Sequence, residues 1–349
     1  MRIGILTFHA SNNYGSVLQA YALCRYIHTA GHHAEIIDYR PNQPAIIGYA
    51  LQYLKRPRKR KESMGQLRSL QTFLRRTTPL SRVCRTKKQI QSIASRYDAL
   101  ICGSDEIWNI RKWQRGFNRN FFLDGIAQEQ MTASYAATFG HTTSLTSREQ
   151  EIMRHALMQL NAISVRDSAS AVLLDAIGIS GAEQVLDPTL LLDWGTWAQD
   201  VADVPARYIL AYVQRCSNLV AVTNMAQRLA QEYQLPVLSL DPAPAWHGGK
   251  PLTPEQWVGM YKNAEMIVTN AFHGVMFAVA LQKPWIAMTS ENKQKINDFA
   301  VNFTDGHRVV TPDTDAREYL QIAAQKVAYK AEFALSLQRS KDFLARIWA

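Results

Sequence analysis

An imidazole beside a helix N-terminus joins a proton donor active near neutral pH to a ready seat for an anion, and the run "TNAFHG" has the residues for both. His273 follows a β-branched stretch and precedes Gly274 at the expected start of the next helix. Such a group can act as general acid or base. A turn histidine bonded to a carbonyl is the plainer alternative. Arg166 in "ISVRD" leaves a buried strand directly into a turn. Its planar fork suits a carboxylate or a phosphate; an ion pair with Asp167 or another acid of its own domain is the alternative.

Two further runs carry weaker signals. "HASNNYGSVLQAY" is a glycine-containing loop feeding a helix, with Ser16 as the expected N-cap. It could cradle a phosphate, but it is not the G-x-G-x-x-G dinucleotide pattern, and Asp38 alone does not make it one. "GSDEIWN" places Asp105 and Trp108 at a strand end, where the indole could stack on a sugar face or simply pack on the domain. No H-E-x-x-H, Walker loop, nucleophile elbow or paired Cys/His cluster occurs, so no metal ligand set and no covalent nucleophile is expected. Cys24, Cys84, Cys102 and Cys216 are scattered, which argues for reduced thiols rather than a disulfide framework or a zinc site.

The elements that must position these residues read as alternating strands and helices. "RIGILTF" predicts a strand, Val17 to Ile27 an amphipathic helix closed by Gly31, and "AEIIDY" a second strand stopped by Pro41. The same rhythm returns at "YDALIC", "MTASYAA" with a helix from Ser147 to Asn161, and "AISV" with a helix ended by Gly178. After "VLDPTLLLD" a fresh α/β series begins. It comprises "RYILAYV", a helix from Ser217 to Gln234, "PVLSL", and a helix opened by Thr253, Pro254 and Gln256 in a capping-box pattern. "EMIVTN", "VMFAVAL" and "PWIAM" follow, and the tail from about Thr314 is helical. Alternation of this kind implies parallel sheets, with ligands gathering beyond the carboxyl ends of the strands.

The chain has 349 residues, 47% of them apolar, which suits about two domains with substantial cores. No apolar run nears the roughly 18 residues of a membrane span. Ile3 to Phe8 is too short for a signal-peptide core, so a soluble cytoplasmic protein is expected. The net charge of +10 is concentrated: Tyr53 to Lys88 holds 13 Lys/Arg against Glu62, while the remainder holds 26 basic and 28 acidic residues. A chain built throughout to coat nucleic acid is a poor match to that distribution. "KRPRKRK" cannot bury itself, and 41–88 reads as an exposed insertion with one or two amphipathic helices.

In their order and spacing these junctions resemble the polysaccharide pyruvyl transferase family, over about Met1 to Phe299. The family's opening stands here as Asn12–Asn13–Tyr14–Gly15, Leu18 to Leu23 and Ile37 to Pro41. Its "GSD-x-x-WN" is Gly103 to Asn109, and its "SYAASFG" is Ser134 to Gly140 with Thr138 for a serine. "ISVRD", "VLDPTLLL" and the late "FHG" with "KP" behind it are present too, but the serine usual before "FHG" is Ala271.

The resemblance implies an α/β, GT-B-like fold, with two Rossmann-type domains whose parallel sheets face an interdomain cleft. Residues 1–188 would form the acceptor side with the basic insertion 41–88, and 189–312 the donor side. Helices of 313–349 would pack back toward the first domain. The implied reaction moves pyruvate from phosphoenolpyruvate onto two hydroxyls of a sugar in a cell-surface or exopolysaccharide precursor, as a cyclic ketal. His273 matches the family's catalytic histidine and Arg166 its donor-binding arginine. Asn270, Phe272, Gly274 and Lys293 complete the expected donor side; Asn12, Asn13, Tyr14, Gly15, Asp105 and Trp108 are expected at the acceptor.

No cofactor is implied beyond phosphoenolpyruvate as co-substrate, and a helper divalent ion stays an open alternative. The acceptor is expected to be an oligosaccharide, carried on polyprenyl diphosphate at the inner membrane face. The Lys55 to Lys61 cluster could touch the anionic leaflet there. Two rivals remain: a GT-B glycosyltransferase using a nucleotide sugar, with Glu291 as the only obvious ribose ligand, and a non-enzymatic adaptor working through the basic segment.

Overall fold

The computed structural model of the chain describes residues 1–41, 57–111, 117–126, 129–214, 219–240, 247, 249–289 and 294–349. The chain forms two compact units, Met1–Leu191 with Ser336–Ala349, and Leu192–Leu335.

The first unit contains β1 (Arg2–Leu6), α1 (Tyr14–Thr29), β2 (His33–Ile36), α2 (Pro57–Thr77), α3 (Lys87–Ala94) and β3 (Ala99–Cys102). It continues with β4 (Met131–Ala137), α4 (Ser147–Leu157), β5 (Ala162–Val165), α5 (Ser168–Ala176) and β6 (Glu183–Gln184). The strands make one parallel sheet in the order β2-β1-β3-β4-β5-β6. Strands such as "ALIC" are buried throughout, as parallel strands covered on both faces must be. The second unit contains β7 (Ile209–Tyr212), α6 (Leu219–Tyr233), β8 (Val237–Ser239), α7 (Pro254–Asn263), β9 (Met266–Thr269) and α8 (Phe272–Ala280). After them come β10 (Trp285–Met288), α9 (Gln294–Phe303), β11 (Val309–Val310) and α10 (Ala316–Ala324). Its sheet is also parallel, in the order β11-β10-β9-β7-β8. The final helix, α11 (Ala331–Ile347), begins in the second unit and ends in the first.

Each sheet reverses its winding once, between β1 and β3 in the first and between β7 and β9 in the second. Loops leaving the carboxyl ends of such strand pairs diverge and leave room for ligands. The "NNYG" and "GSDEIWN" runs flank one switch point; "TNAFHG" leaves β9 at the other.

Local signals explain most boundaries. Thr86, Thr146 and Thr253 each head a helix with a complete capping box. Gly31, at φ +87°, ends α1 as expected. Three expectations change. The first unit runs to Leu191, because the buried turn Pro188–Leu191 belongs to its core. Residues 313–335 group with the second unit, where α10 packs on α6 and β10 and Phe333 meets Phe299 and Phe303. Only Ser336–Ala349 joins the first unit. There Ser340 Oγ accepts the Leu186 N–H (2.8 Å), Phe343 lies beside Tyr135, and Arg346 pairs with Glu183. Finally, the insertion is not wholly exposed. Leu70, Phe73 and Leu74 of α2 are buried, with Phe73 against Tyr21 of α1, because its apolar stripe lies beyond the charged run.

Phe343 is fully buried, and Phe343→Ala removes both contact area and volume at the seam between α11 and the first sheet. The first unit should lose about 3–4 kcal/mol, read from the urea midpoint of its unfolding transition.

Candidate active site

Thr269, the last residue of β9, organises the switch point of the second unit. Its hydroxyl donates to the Tyr212 carbonyl (2.5 Å) and accepts the Ala271 N–H (3.0 Å), joining β7, β9 and the turn into α8. A Cβ on Gly274 would lie 2.3 Å from that hydroxyl oxygen, so only glycine lets the first turn of α8 seat against the strand end. Asn270 is buried, and its amide oxygen accepts the Gln214 N–H (2.7 Å), tying the loops after β7 and β9 together. The helix starts after Ala271, whose methyl group makes no capping bond to the first-turn amides. His273 stands in that turn, 7% exposed, with the Phe272 ring edge-on to it at 5.6 Å. Asn270, Phe272, His273 and Gly274 are thus brought together, while Lys293 and Glu291 lie outside the described residues.

Arg166, in the first unit, leaves β5 with its side chain only 3% exposed and donates to Asp187 Oδ2 at 2.6 Å. The partner is therefore Asp187 rather than Asp167, which instead caps α5 through the Ser170 N–H. Asp187 is itself held by the Thr189 N–H and hydroxyl (3.0 and 2.7 Å), so the "LDPT" turn presents a prearranged carboxylate to the guanidinium. Burial works against the charge of Arg166, but Asp187, Asp105 and Asp167 together outweigh it and raise its pKa.

At the other switch point Asn13, not Ser16, caps α1: its side-chain oxygen accepts the Gly15 and Ser16 N–H groups. Ser16 instead donates to Asp105 Oδ2 at 2.5 Å, linking the loops after β1 and β3. Of Asn12, Asn13, Tyr14 and Gly15, Tyr14 and Gly15 are buried in the helix start and Asn12 is exposed. Trp108 corrects an expectation. Its ring is 0% exposed, stacked on Phe122, and its N–H donates to the Phe121 carbonyl, so no face is offered to a sugar. Gly103 (φ +112°) permits the sharp exit from β3, since a Cβ there would meet the Tyr135 carbonyl oxygen at 2.2 Å.

A further polar group had no chemical reading in the sequence. His9 is buried after β1, with Nε2 facing Asp38 (2.9 Å) and Nδ1 the Thr7 carbonyl (3.2 Å). Arg40 donates to both Asp38 oxygens and to Gln71, and Gln71 donates to the His9 carbonyl, closing a ring. The cue lay in "IDYRP", where an acid and an arginine share a strand end two residues apart. Burial pushes the Asp38 carboxyl up, but bonds from His9 and Arg40 and their charges pull it down to about 2. Among the described residues no group of three or more His, Cys, Asp and Glu could hold a metal ion. Burial raises the Cys24 thiol to about 12 and that of Cys102 higher still, which makes both inert near neutral pH.

Two parallel α/β units, each with its polar residues at the carboxyl edge of a switch point, define the GT-B class. Comparison with solved structures agrees. The UDP-GlcNAc 2-epimerase of Methanocaldococcus jannaschii is similar over 99% of this chain and 100% of its own, with a TM-score of 0.57 at 11% identity. UGT89C1 of Arabidopsis thaliana, complexed with UDP-L-rhamnose, is similar over 93% of this chain and 89% of its own, with a TM-score of 0.50 at 10% identity. Identities this low carry the fold alone. No curated protein matches the sequence. The model of the polysaccharide pyruvyl transferase family matches residues 13–292, and the chain belongs to that family.

Two stability tests follow from this geometry. Asp187→Ala removes the hydrogen-bonded carboxylate from a buried guanidinium and should cost about 3–5 kcal/mol in a chemical-denaturation experiment, whereas replacing both Arg166 and Asp187 with apolar residues should cost less. A lowered carboxyl pKa stabilises the fold above the unfolded value, and the contribution disappears as pH falls through the folded one. The stability difference between wild type and Asp38→Asn should therefore be near its full value at about pH 4 to 5. It should shrink by about 2 kcal/mol between pH 4 and 2, read from urea midpoints across that range.

Proposed function

We propose that the protein transfers the pyruvyl group of phosphoenolpyruvate to two hydroxyls of a sugar in a cell-surface or exopolysaccharide precursor, releasing phosphate. Family membership supports the transferase class. The observation that carries the finer reading is His273 in the first turn of a helix whose N-cap, Ala271, has no capping side chain. Amides at such a helix start favour a phosphate, and the imidazole beside them can move a proton. In this reaction carbon 3 of the enol gains a proton and carbon 2 becomes electrophilic. One sugar hydroxyl attacks, phosphate departs, and the second hydroxyl closes the ketal as its proton is lost. His273 would protonate either carbon 3 or the departing phosphate.

Arg166 is proposed separately as an anion-binding group of the first unit. Its orientation by Asp187 is the preorganisation such a ligand needs. Asn12 and Asp105 are assigned to the acceptor, with Asn13, which caps α1, and the buried residues Tyr14, Gly15 and Trp108 shaping the loops that carry them. The acceptor we propose is an oligosaccharide on a polyprenyl diphosphate carrier, met at the inner face of the membrane with peripheral contact through 55–61. Among the described residues no helix is long and apolar enough to cross a membrane.

His273→Ala should lower kcat by about 10²- to 10⁴-fold with little change in Tm, measured as phosphate release from phosphoenolpyruvate across lipid-linked and free oligosaccharides. Near wild-type turnover would end the assignment. A thermal shift with a nucleotide diphosphate sugar and none with phosphoenolpyruvate would favour the glycosyltransferase alternative.

A further inference from the structure

α2 has two sides with different work. Toward the protein, Leu70, Phe73 and Leu74 are buried. Away from it, Lys61, Met64, Arg68 and Arg75 recur at i, i+3, i+7 and i+14, all exposed on one stripe, with Leu67 beside them. Met64 is 44% and Leu67 38% exposed, two large apolar side chains set among cations. The surrounding segment, Tyr53 to Lys88, carries 13 of the chain's 39 basic residues and one acid. Exposed apolar residues flanked by Lys and Arg on a helix are the pattern of an element lying in a lipid headgroup region. A groove for nucleic acid would instead expose aromatic rings for bases to stack on, and this stripe has none.

The same helix grips the loop after β1. Asn12 donates to Ser63 Oγ (2.7 Å), Gln66 to the Asn12 carbonyl (3.1 Å), and Gln71 to the His9 carbonyl (3.2 Å). We propose that the outward face of α2 docks on an anionic lipid bilayer, with Met64 and Leu67 entering the headgroup layer, and that docking steadies the loop Phe8–Asn13. The docking stands on the helix alone; its value for catalysis rests on the acceptor reading given above. Electrostatic attraction brings the stripe to the surface, and apolar burial holds it there. An acceptor borne on lipid would then be met by a loop already held in place.

The test is partition of the full-length protein onto phosphatidylcholine vesicles with and without phosphatidylglycerol. Wild type should bind the anionic vesicles and bind them less as salt rises. Replacing Lys61, Arg68 and Arg75 together with Gln should weaken binding by about 100-fold, roughly fivefold per residue. Met64→Asp with Leu67→Asp should weaken it at least about tenfold while leaving turnover of a water-soluble acceptor unchanged. Amide exchange in Phe8–Asn13 should slow on vesicle addition. Equal partition of wild type and both variants, or indifference to phosphatidylglycerol, overturns the docking. Tighter binding to an oligonucleotide than to anionic vesicles at the same salt overturns it in favour of nucleic acid. Unchanged exchange in the loop overturns the coupling. None of these readouts except acceptor turnover needs pyruvyl transfer, so a protein that docks but transfers nothing would fail the functional reading alone.

Discussion

One threonine hydroxyl sets the geometry of the second unit. Thr269 donates to the neighbouring strand's carbonyl and accepts from the turn that follows, leaving space beside it only for the hydrogen of Gly274. Strand end, turn and helix start therefore have a single mutual arrangement, and His273 is carried into place by it. A residue with a Cβ at 274 would push the helix off the strand and move the imidazole with it. In this sense the placement of the candidate acid is a packing constraint before it is a chemical one.

The first unit reaches the same end by polar joinery. Ser16 to Asp105 spans its switch point, Asp187 holds Arg166, and His9, Asp38, Arg40 and Gln71 close a ring. Buried polar groups are costly unless bonded, so each such link narrows the positions its loop can adopt. Much of what looks like substrate chemistry in the motifs serves this purpose. The asparagine of "GSDEIWN" donates to Glu106 and the serine bonds the Ala136 carbonyl, while the tryptophan packs in the core. What remains open to a ligand is a smaller set, borne on loops whose shape those residues maintain.

The basic segment shows why a charge run needs a structure to interpret it. As sequence, "KRPRKRK" and the residues after it read as a solvated insertion. Folded, the later part of α2 is anchored in the core, and its glutamines and a serine hold the loop that leads into "NNYG". One helix thus carries exposed cations, buried apolar anchors and the groups that bond the loop, so surface and loop are joined through a single element.

The order of strands and helices, the parallel character of both sheets and the capping box at Thr253 were legible in the residues, whereas the cap of α1 was not. Periodicity, capping boxes and glycine placement act over a few residues and need no distant partner. So too were His273 and Arg166 as the residues leaving β9 and β5. The partners of these groups were not legible. Asp187 lies 21 residues from Arg166, Phe121 stands 13 from the indole it fixes, and Ser340 is 154 from the amide it satisfies. Nothing local marks Asp187 over Asp167, or a stacked and buried Trp108 over an exposed one. Those choices turn on which loops meet when the sheet closes and on the cost of leaving a charge or an N–H unpaired inside it, which only the tertiary fold decides.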